Sequence, residues 1–209
     1  MKKIMTVVAV AAASLTAQAE GFYAGGGVGF NSINNELTKF NSEMVSTLGG
    51  TIVSTQDSSV RNLRLIGGYK VNENVAVEVG YINSSDFALT FAGRSGGNVA
   101  YSGKGTVSFS GFDVAAVLRP SVASGYNNVF ATIGVHNYKA KTAVAFTVVS
   151  TNYSDNSSES GTGTMFGVGY DWKIDKDVDV RLTLTRINKI AGNSDSSTNN
   201  VGVGLVKHF

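Results

Sequence analysis

Apolar and polar positions alternate with a period of two in eight segments of the chain, the pattern of strands that place one face in a greasy medium and the other in a polar one. The first segment, Gly21 to Asn31, sets Phe22, Ala24, Val28 and Phe30 against Tyr23, Gly25, Gly27, Gly29 and Asn31. The second, about Val60 to Val71, sets Leu63, Leu65 and Tyr69 against Asn62, Arg64 and Lys70. In the third, Val75, Val77, Val79 and Tyr81 alternate with Ala76, Glu78 and Gly80. The fourth ends near Pro120 and opposes Phe112, Val114, Ala116 and Leu118 to Asp113; the fifth opposes Val129, Ala131, Ile133 and Val135 to Thr132, Gly134 and His136. The sixth carries Phe166, Val168, Tyr170 and Trp172 on one side, with Gly167, Gly169, Asp171 and Lys173 on the other. In the seventh, Val178, Val180, Leu182 and Leu184 alternate with Asp179, Arg181, Thr183 and Thr185. The eighth, Asn200 to Phe209, sets Val201, Val203, Leu205 and Phe209 against Asn200, Gly202, Gly204 and His208.

One face of every segment is nearly free of charge. A charge facing lipid near the bilayer midplane costs about 2–4 kcal/mol, so the charged face is the interior and the apolar face is the outside. A soluble barrel of the lipocalin kind would invert that assignment. The predicted fold class is therefore all-β: an eight-stranded antiparallel up-and-down transmembrane β-barrel, closed because lipid satisfies no exposed backbone group. Arg186 shares parity with Leu184, near the external end, where the penalty for charge falls towards zero.

The connections support this reading. Those after the second, fourth and sixth strands are short (Asn72 to Asn74, Ser121 to Asn127, Asp175 to Asp177), whereas Ser32–Ser59, Asn83–Gly105 and Lys139–Gly163 are long, and Ala191–Asn199 is intermediate. Short periplasmic turns and long external loops are the asymmetry of transmembrane barrels, which puts both termini on the periplasmic side. Phe22 and Phe30 mark opposite ends of the first strand, while Tyr69, Tyr170, Trp172 and Phe209 gather at the periplasmic end, as interfacial girdles require.

Composition narrows the compartment. Met1-Lys2-Lys3, the apolar run Ile4 to Leu15 and the small-x-small triplet Ala17-Gln18-Ala19 read as a secretory signal over residues 1–19, cleaved to leave a single barrel domain over 20–209. Without Lys2 and Lys3, 15 of the 17 basic residues remain against 15 acidic ones, so a nucleic-acid partner has no compositional support. Cysteine is absent, which removes disulfides and thiolate metal sites, and the single proline, Pro120, suits a protein built of ladders.

With the stretches Gly21-Phe22-Tyr23-Ala24-Gly25, Gly67-Gly68-Tyr69-Lys70-Val71, Val79-Gly80-Tyr81 and the final strand, the chain resembles the OmpA-type, porin-family small outer-membrane β-barrel domain over Gly21 to Phe209. The resemblance implies a Gram-negative outer membrane, contact with its lipid and lipopolysaccharide, and delivery by the barrel assembly machinery. It also implies that Val201, Val203, Leu205 and the terminal Phe209 serve as the assembly signal. Lys207, where that pattern has an apolar residue, can snorkel at the rim. The peptidoglycan-binding domain that follows the barrel in full-length relatives is not expected.

Candidate chemistry is sparse. The inward charges Arg64, Glu78, Asp113, His136, Asp171 and Arg181 form a predicted lumen network. An eight-stranded barrel is only wide enough for side chains to fill, so these groups must pair or be hydrated, as a rigid plug or as the gate of a narrow ion path. Lipid A deacylase, lipid A palmitoyltransferase and omptin barrels need a histidine beside a serine or carboxylate. Here only His136 and His208 are available, and Asn137-Tyr138 follows His136 in place of the deacylase His-x-Ser. Asp175-x-Asp177-x-Asp179 lacks the glycine and glutamate of a calcium loop, and the Gly25–Gly29 run lacks the Gly-Lys-Ser/Thr ending of a phosphate cradle. Its small residues are expected to make room in the lumen. No cofactor or metal is expected.

In the long connections, Asp86–Phe91, Thr106–Phe112 and Thr142–Val149 keep strand-like residues beyond the membrane band, as a ribbon above the barrel would. Leu37, Phe40, Met44 and Leu48 have helical spacing, compatible with a short amphipathic helix or with a loop holding apolar anchors. The function expected is non-enzymatic: structural or adhesin-like interaction, with a host or surface ligand reached through 32–59, 83–105 and 139–163. A low-conductance porin is the alternative, and a lipid A-modifying enzyme the third.

Overall fold

The structure, a computed structural model, describes residues 21–33, 36–120, 125–126, 128–194 and 196–209, without the side chains of 33 and 36–40. The signal expected over 1–19, Glu20 and most of the expected Ser121–Asn127 turn lie outside the described residues. The described chain forms β1 (Phe22–Ile33), α1 (Glu36–Leu48), β2 (Thr51–Gln56), β3 (Ser59–Lys70), β4 (Val75–Ser84), β5 (Phe87–Arg94), β6 (Ala100–Leu118), β7 (Val129–Val148), β8 (Thr151–Lys173), β9 (Val178–Asn188) and β10 (Ser197–His208).

Eight strands close in the circular order β1–β3–β4–β6–β7–β8–β9–β10, every pairing antiparallel. These are the eight strands read from the alternation. Closure is made by the two ends of the chain: β1 and β10 pair from Tyr23 opposite His208 to Ile33 opposite Thr198. The ring therefore leaves no open edge, the condition for backbone in lipid.

The alternation has the direction predicted. Phe112, Ile133 and Trp172 stand 63%, 61% and 64% exposed, while Glu78, Asp113, His136, Asp171 and Arg181 are buried inside. A belt of exposed Val, Leu and Phe around a barrel is stable only in an apolar solvent. On β1 the belt runs from Phe22 to Phe30, which at about 3.4 Å per residue and a tilt of about 40° is roughly 20 Å of height. Tilted aromatic pairs stand at both limits: Phe22 with Tyr69 (4.7 Å) at the short-turn end and Tyr81 with Phe112 (5.0 Å) at the long-loop end.

The long connections are more ordered than loops. β6, β7 and β8 continue past the barrel without a break in register, β5 adds to the Ala100–Val107 half of β6, and β2 adds to β5. The result is a five-stranded upper sheet, β2–β5–β6–β7–β8. Phe109 N–H donates to Ser84 Oγ (2.8 Å) where β6 exchanges β4 for β5. α1 forms over the segment with helical spacing and is tied to β2, whose Ser54 Oγ hydrogen-bonds Asn41 Oδ1 (2.6 Å).

Candidate functional site

The lumen is built in layers from inward positions of neighbouring strands. At the short-turn mouth, His208 Nε2–H donates to Asp179 Oδ2 (2.8 Å). Above it lies the larger ion-pair network. Arg181 donates Nε–H and Nη2–H to Asp171 (2.7 and 2.9 Å) in a bidentate fork and Nη1–H to Glu78. Asp171 also accepts from Arg119, and the Tyr23 hydroxyl donates to Glu78 (2.8 Å). Phe130 is sandwiched by the two guanidiniums, with Arg181 Cζ 4.7 Å and Arg119 Cζ 4.9 Å from its centroid, a cation–π arrangement that strengthens as water is excluded. Both carboxylates thus meet charge-assisted donors, which is what burial of a charge requires.

The second network lies towards the long-loop end. Arg64 pairs with Asp113 (2.6 Å), and Tyr138 donates its hydroxyl to the same carboxylate (3.0 Å). His136 stacks on Tyr138 at 4.1 Å and donates Nε2–H to the Asn188 carbonyl (2.8 Å). Ile82, Tyr138 and Ile187, with Phe109 and Ile190 packed on them, cap this layer with apolar side chains. Between the networks is a cavity of about 60 Å³ whose mainly apolar wall, with Ile66, Phe130 and Met165, also carries Asn62, Arg64 and Arg181, large enough for water. Among the described residues Asn62 Nδ2 has no hydrogen-bond partner there.

All six predicted lumen residues point inward, but they divide between two clusters: Glu78, Asp171 and Arg181 in one, Arg64 and Asp113 in the other, with His136 beside the second. Arg64 and Glu78 share parity on paired strands, yet Arg64 faces Ile82 in the register and reaches across to Asp113 instead. Arg119 and the hydroxyls of Tyr23 and Tyr138 were missed. Arg119 was findable, since it continues the inward parity of Asp113 to the end of its strand. Asp179 faces His208 and not its sequence neighbours Asp175 and Asp177. On β10, Val201, Val203 and Leu205 face outward and are exposed, and Phe209 N–H donates to the Phe22 carbonyl (3.0 Å).

A ring-on-glycine device fills the lumen. Tyr23, Phe130, His136 and Tyr138 stand directly opposite Gly68, Gly169, Gly163 and Gly111. A Cβ on Gly68 would meet the Tyr23 ring at 2.2 Å, and one on Gly169 would meet Phe130 at 2.1 Å.

A family model described as Outer membrane protein beta-barrel domain matches residues 4–209. The chain belongs to that family. Among solved structures, the barrel is similar to Ail, the attachment invasion locus protein of Yersinia pestis, at 11% identity and TM-score 0.52, over 91% of this chain and 99% of Ail. It also matches Neisserial surface protein A (14%, TM-score 0.42, 92% and 99% covered) and the N-terminal barrel domain of Pseudomonas aeruginosa OprF (10%, 0.40, 92% and 100%). No curated protein sequence matches the chain. The Ail likeness agrees with the closed eight-stranded barrel. The family places the domain in an outer membrane.

Proposed function

We propose that the chain is a non-enzymatic surface barrel of a Gram-negative outer membrane, exported by a signal cleaved after Ala19, with periplasmic termini and an upper sheet outside the cell that meets a surface ligand. The observation that carries this reading is the upper sheet itself. The segments that a barrel needs only as connections are spent on strands that rise past the lipid belt. Its outer strands offer edges: among the described residues β2 pairs only with β5, and the far half of β8, Thr151–Ser160, pairs only with β7. Free edges are templates for strand addition. The adhesin-like role is supported further by the fold shared with a protein named for attachment, a name that belongs to that protein alone.

The histidines favour the absence of catalysis. His136 is engaged by a backbone carbonyl and a stacked tyrosine, His208 by Asp179, and among the described residues neither is hydrogen-bonded to a hydroxyl nucleophile as acyl transfer requires. The test is a cell-binding comparison between the intact protein and a variant lacking the Phe87–Val107 hairpin, both checked for heat-modifiable migration. Loss of binding with the barrel retained is the expected result; unchanged binding rejects the upper sheet as the interaction surface.

The cavity between the two networks, with Arg64 and Arg181 in its wall, favours a second reading, a low-conductance path gated by those two residues. Planar-bilayer recordings separate the two. Silence from wild type, Arg64→Ala and Arg181→Ala supports the plug, and discrete steps that grow in either variant support the gate.

A further inference from the structure

Above the belt, the chemistry of the two faces inverts. Inward positions that carry Asp, Arg and His in the barrel become Phe87, Leu89, Phe91, Tyr101, Phe146 and Val148 in the upper sheet. Outward positions, continuous in parity with Phe112 and Val135, become Ser, Thr, Ala and Asn, with Val53 the one large apolar side chain and four basic ones: Arg94, Lys104, Lys139 and Lys141. No outward position of these five strands above the belt is acidic. Asp155 and Glu159 both take the opposite parity.

Lys104, Lys139 and Lys141 are exposed, and among the described residues none of the three has a carboxylate ion-pair partner. Lys139 and Lys141 stand opposite serines on both sides, Ser110 and Ser160 for the first, Ser108 and Ser158 for the second. They flank an open groove of about 440 Å³ whose wall contains one carboxylate, Asp86.

Position selects the ligand. Lys139 lies four residues beyond the belt residue Val135 on the same face, roughly 10 Å higher at the usual rise and tilt. That is headgroup depth for a lysine, whose flexible stem lets the ammonium reach down to the interface. We propose that this outward face, centred on Lys139 and Lys141, is a docking surface for phosphates of anionic lipid headgroups in the leaflet from which the sheet rises. The serine hydroxyls beside each lysine supply neutral donors to the same oxygens. The proposal rests on the barrel being embedded in lipid and is independent of which end faces outside the cell.

The test uses the full barrel inserted in vesicles of phosphatidylcholine containing a minor fraction of phosphatidylglycerol, with spin-labelled forms of each lipid as probes. Wild type is expected to select the phosphatidylglycerol probe, and high salt should erase the preference. Lys139→Ser with Lys141→Ser should weaken it roughly ten-fold or more, since each lysine at an anionic surface is worth about a five-fold change. Lys139→Arg with Lys141→Arg should retain it. Both sites are exposed, and heat-modifiable migration verifies each variant; should the double variant not insert, Lys141→Ser alone carries a smaller loss in the same direction. No preference in wild type, or an unchanged preference in the serine variant, overturns the proposal. It is also overturned if the serine variant loses binding to a soluble sulfated polysaccharide while keeping its lipid preference. Because both leaflets of the vesicle carry the probe, a reversed orientation in cells, read by protease accessibility, defeats the surface reading without touching this one.

Discussion

At the residue scale the barrel depends on a few inward side chains that share buried partners. Arg181 holds two carboxylates, Glu78 and Asp171, whose side chains are only 5% and 4% exposed. A buried ion pair adds little net stability over apolar packing, but removing one partner strands the other and costs about 3–5 kcal/mol. Arg181→Met should therefore lower the temperature of heat-modifiable unfolding more than Arg64→Met: it leaves two buried carboxylates, Asp171 with Arg119 and Glu78 with the Tyr23 hydroxyl, short of a charged donor, whereas Arg64 is 22% exposed and serves one, Asp113, which keeps the Tyr138 hydroxyl. Equal shifts would mean that the Arg181 network is hydrated. The ring-on-glycine pairs behave differently, through volume. Gly169→Val would drive a side chain into Phe130 and into the Leu182 carbonyl, and overpacking of that kind costs about 1–3 kcal/mol; urea unfolding in detergent should show it, with relief in the double variant Gly169→Val, Phe130→Ala. The inward parity of the six charges was legible in the sequence, because alternation sorts residues by face. Their partners were not. Cross-barrel contacts such as Arg64 with Asp113 depend on stagger around the ring, which no single strand's pattern carries.

At the element scale, the eight barrel strands were legible, β5 was read as a strand-like segment of a ribbon above the barrel and without its bounds or pairing, and β2 was not read at all, for one physical reason. The pattern of apolar outward and polar inward positions holds only where lipid is the solvent. β5 alternates in the opposite sense, Phe87, Leu89 and Phe91 inward with Ala88, Thr90 and Ala92 outward, so by the barrel rule it read as part of a connection with strand-like residues. β2, six residues long with only Ile52 and Val53 strongly apolar, gave no signal, although its Thr55 hydroxyl meets Thr90 across the pair at 2.7 Å. α1 was legible as a spacing, and its attachment to β2 was not. Because β5 is hydrogen-bonded on both sides, any residue in it donates to one neighbour or the other. Thr90→Pro removes one such donor. Limited proteolysis should then open the Phe87–Val107 hairpin rapidly while heat-modifiable migration is unchanged. Loss of both would show that the barrel and the upper sheet fold as one unit.

At the scale of the whole molecule, accessibility alone misreads this protein, because one surface borders two solvents. Val203 on β10 and Val53 on β2 are both exposed, 44% and 73%, and both face outward. Val203 stands between Val28 and Leu182 in the middle of the belt; Val53 pairs with Ala92 in the upper sheet, far above it. A method that counts exposed apolar area would rank Val53 as the greater liability and expect a charged substitution to be harmless at either site. The lipid belt predicts otherwise. Val203→Lys should destabilise the barrel in vesicles by about 2–4 kcal/mol, the cost of a lysine near the midplane, whereas Val53→Lys should change stability by less than about 0.5 kcal/mol, as surface substitutions in water do. The urea midpoint for unfolding from vesicles measures both. Moving the lysine along β10 sharpens the test, since Lys207 already occupies an outward position four residues nearer the short-turn rim: Leu205→Lys should cost less than Val203→Lys. A flat response along the strand, or an equal response at Val53, would remove lipid as the solvent that orients the entire alternation.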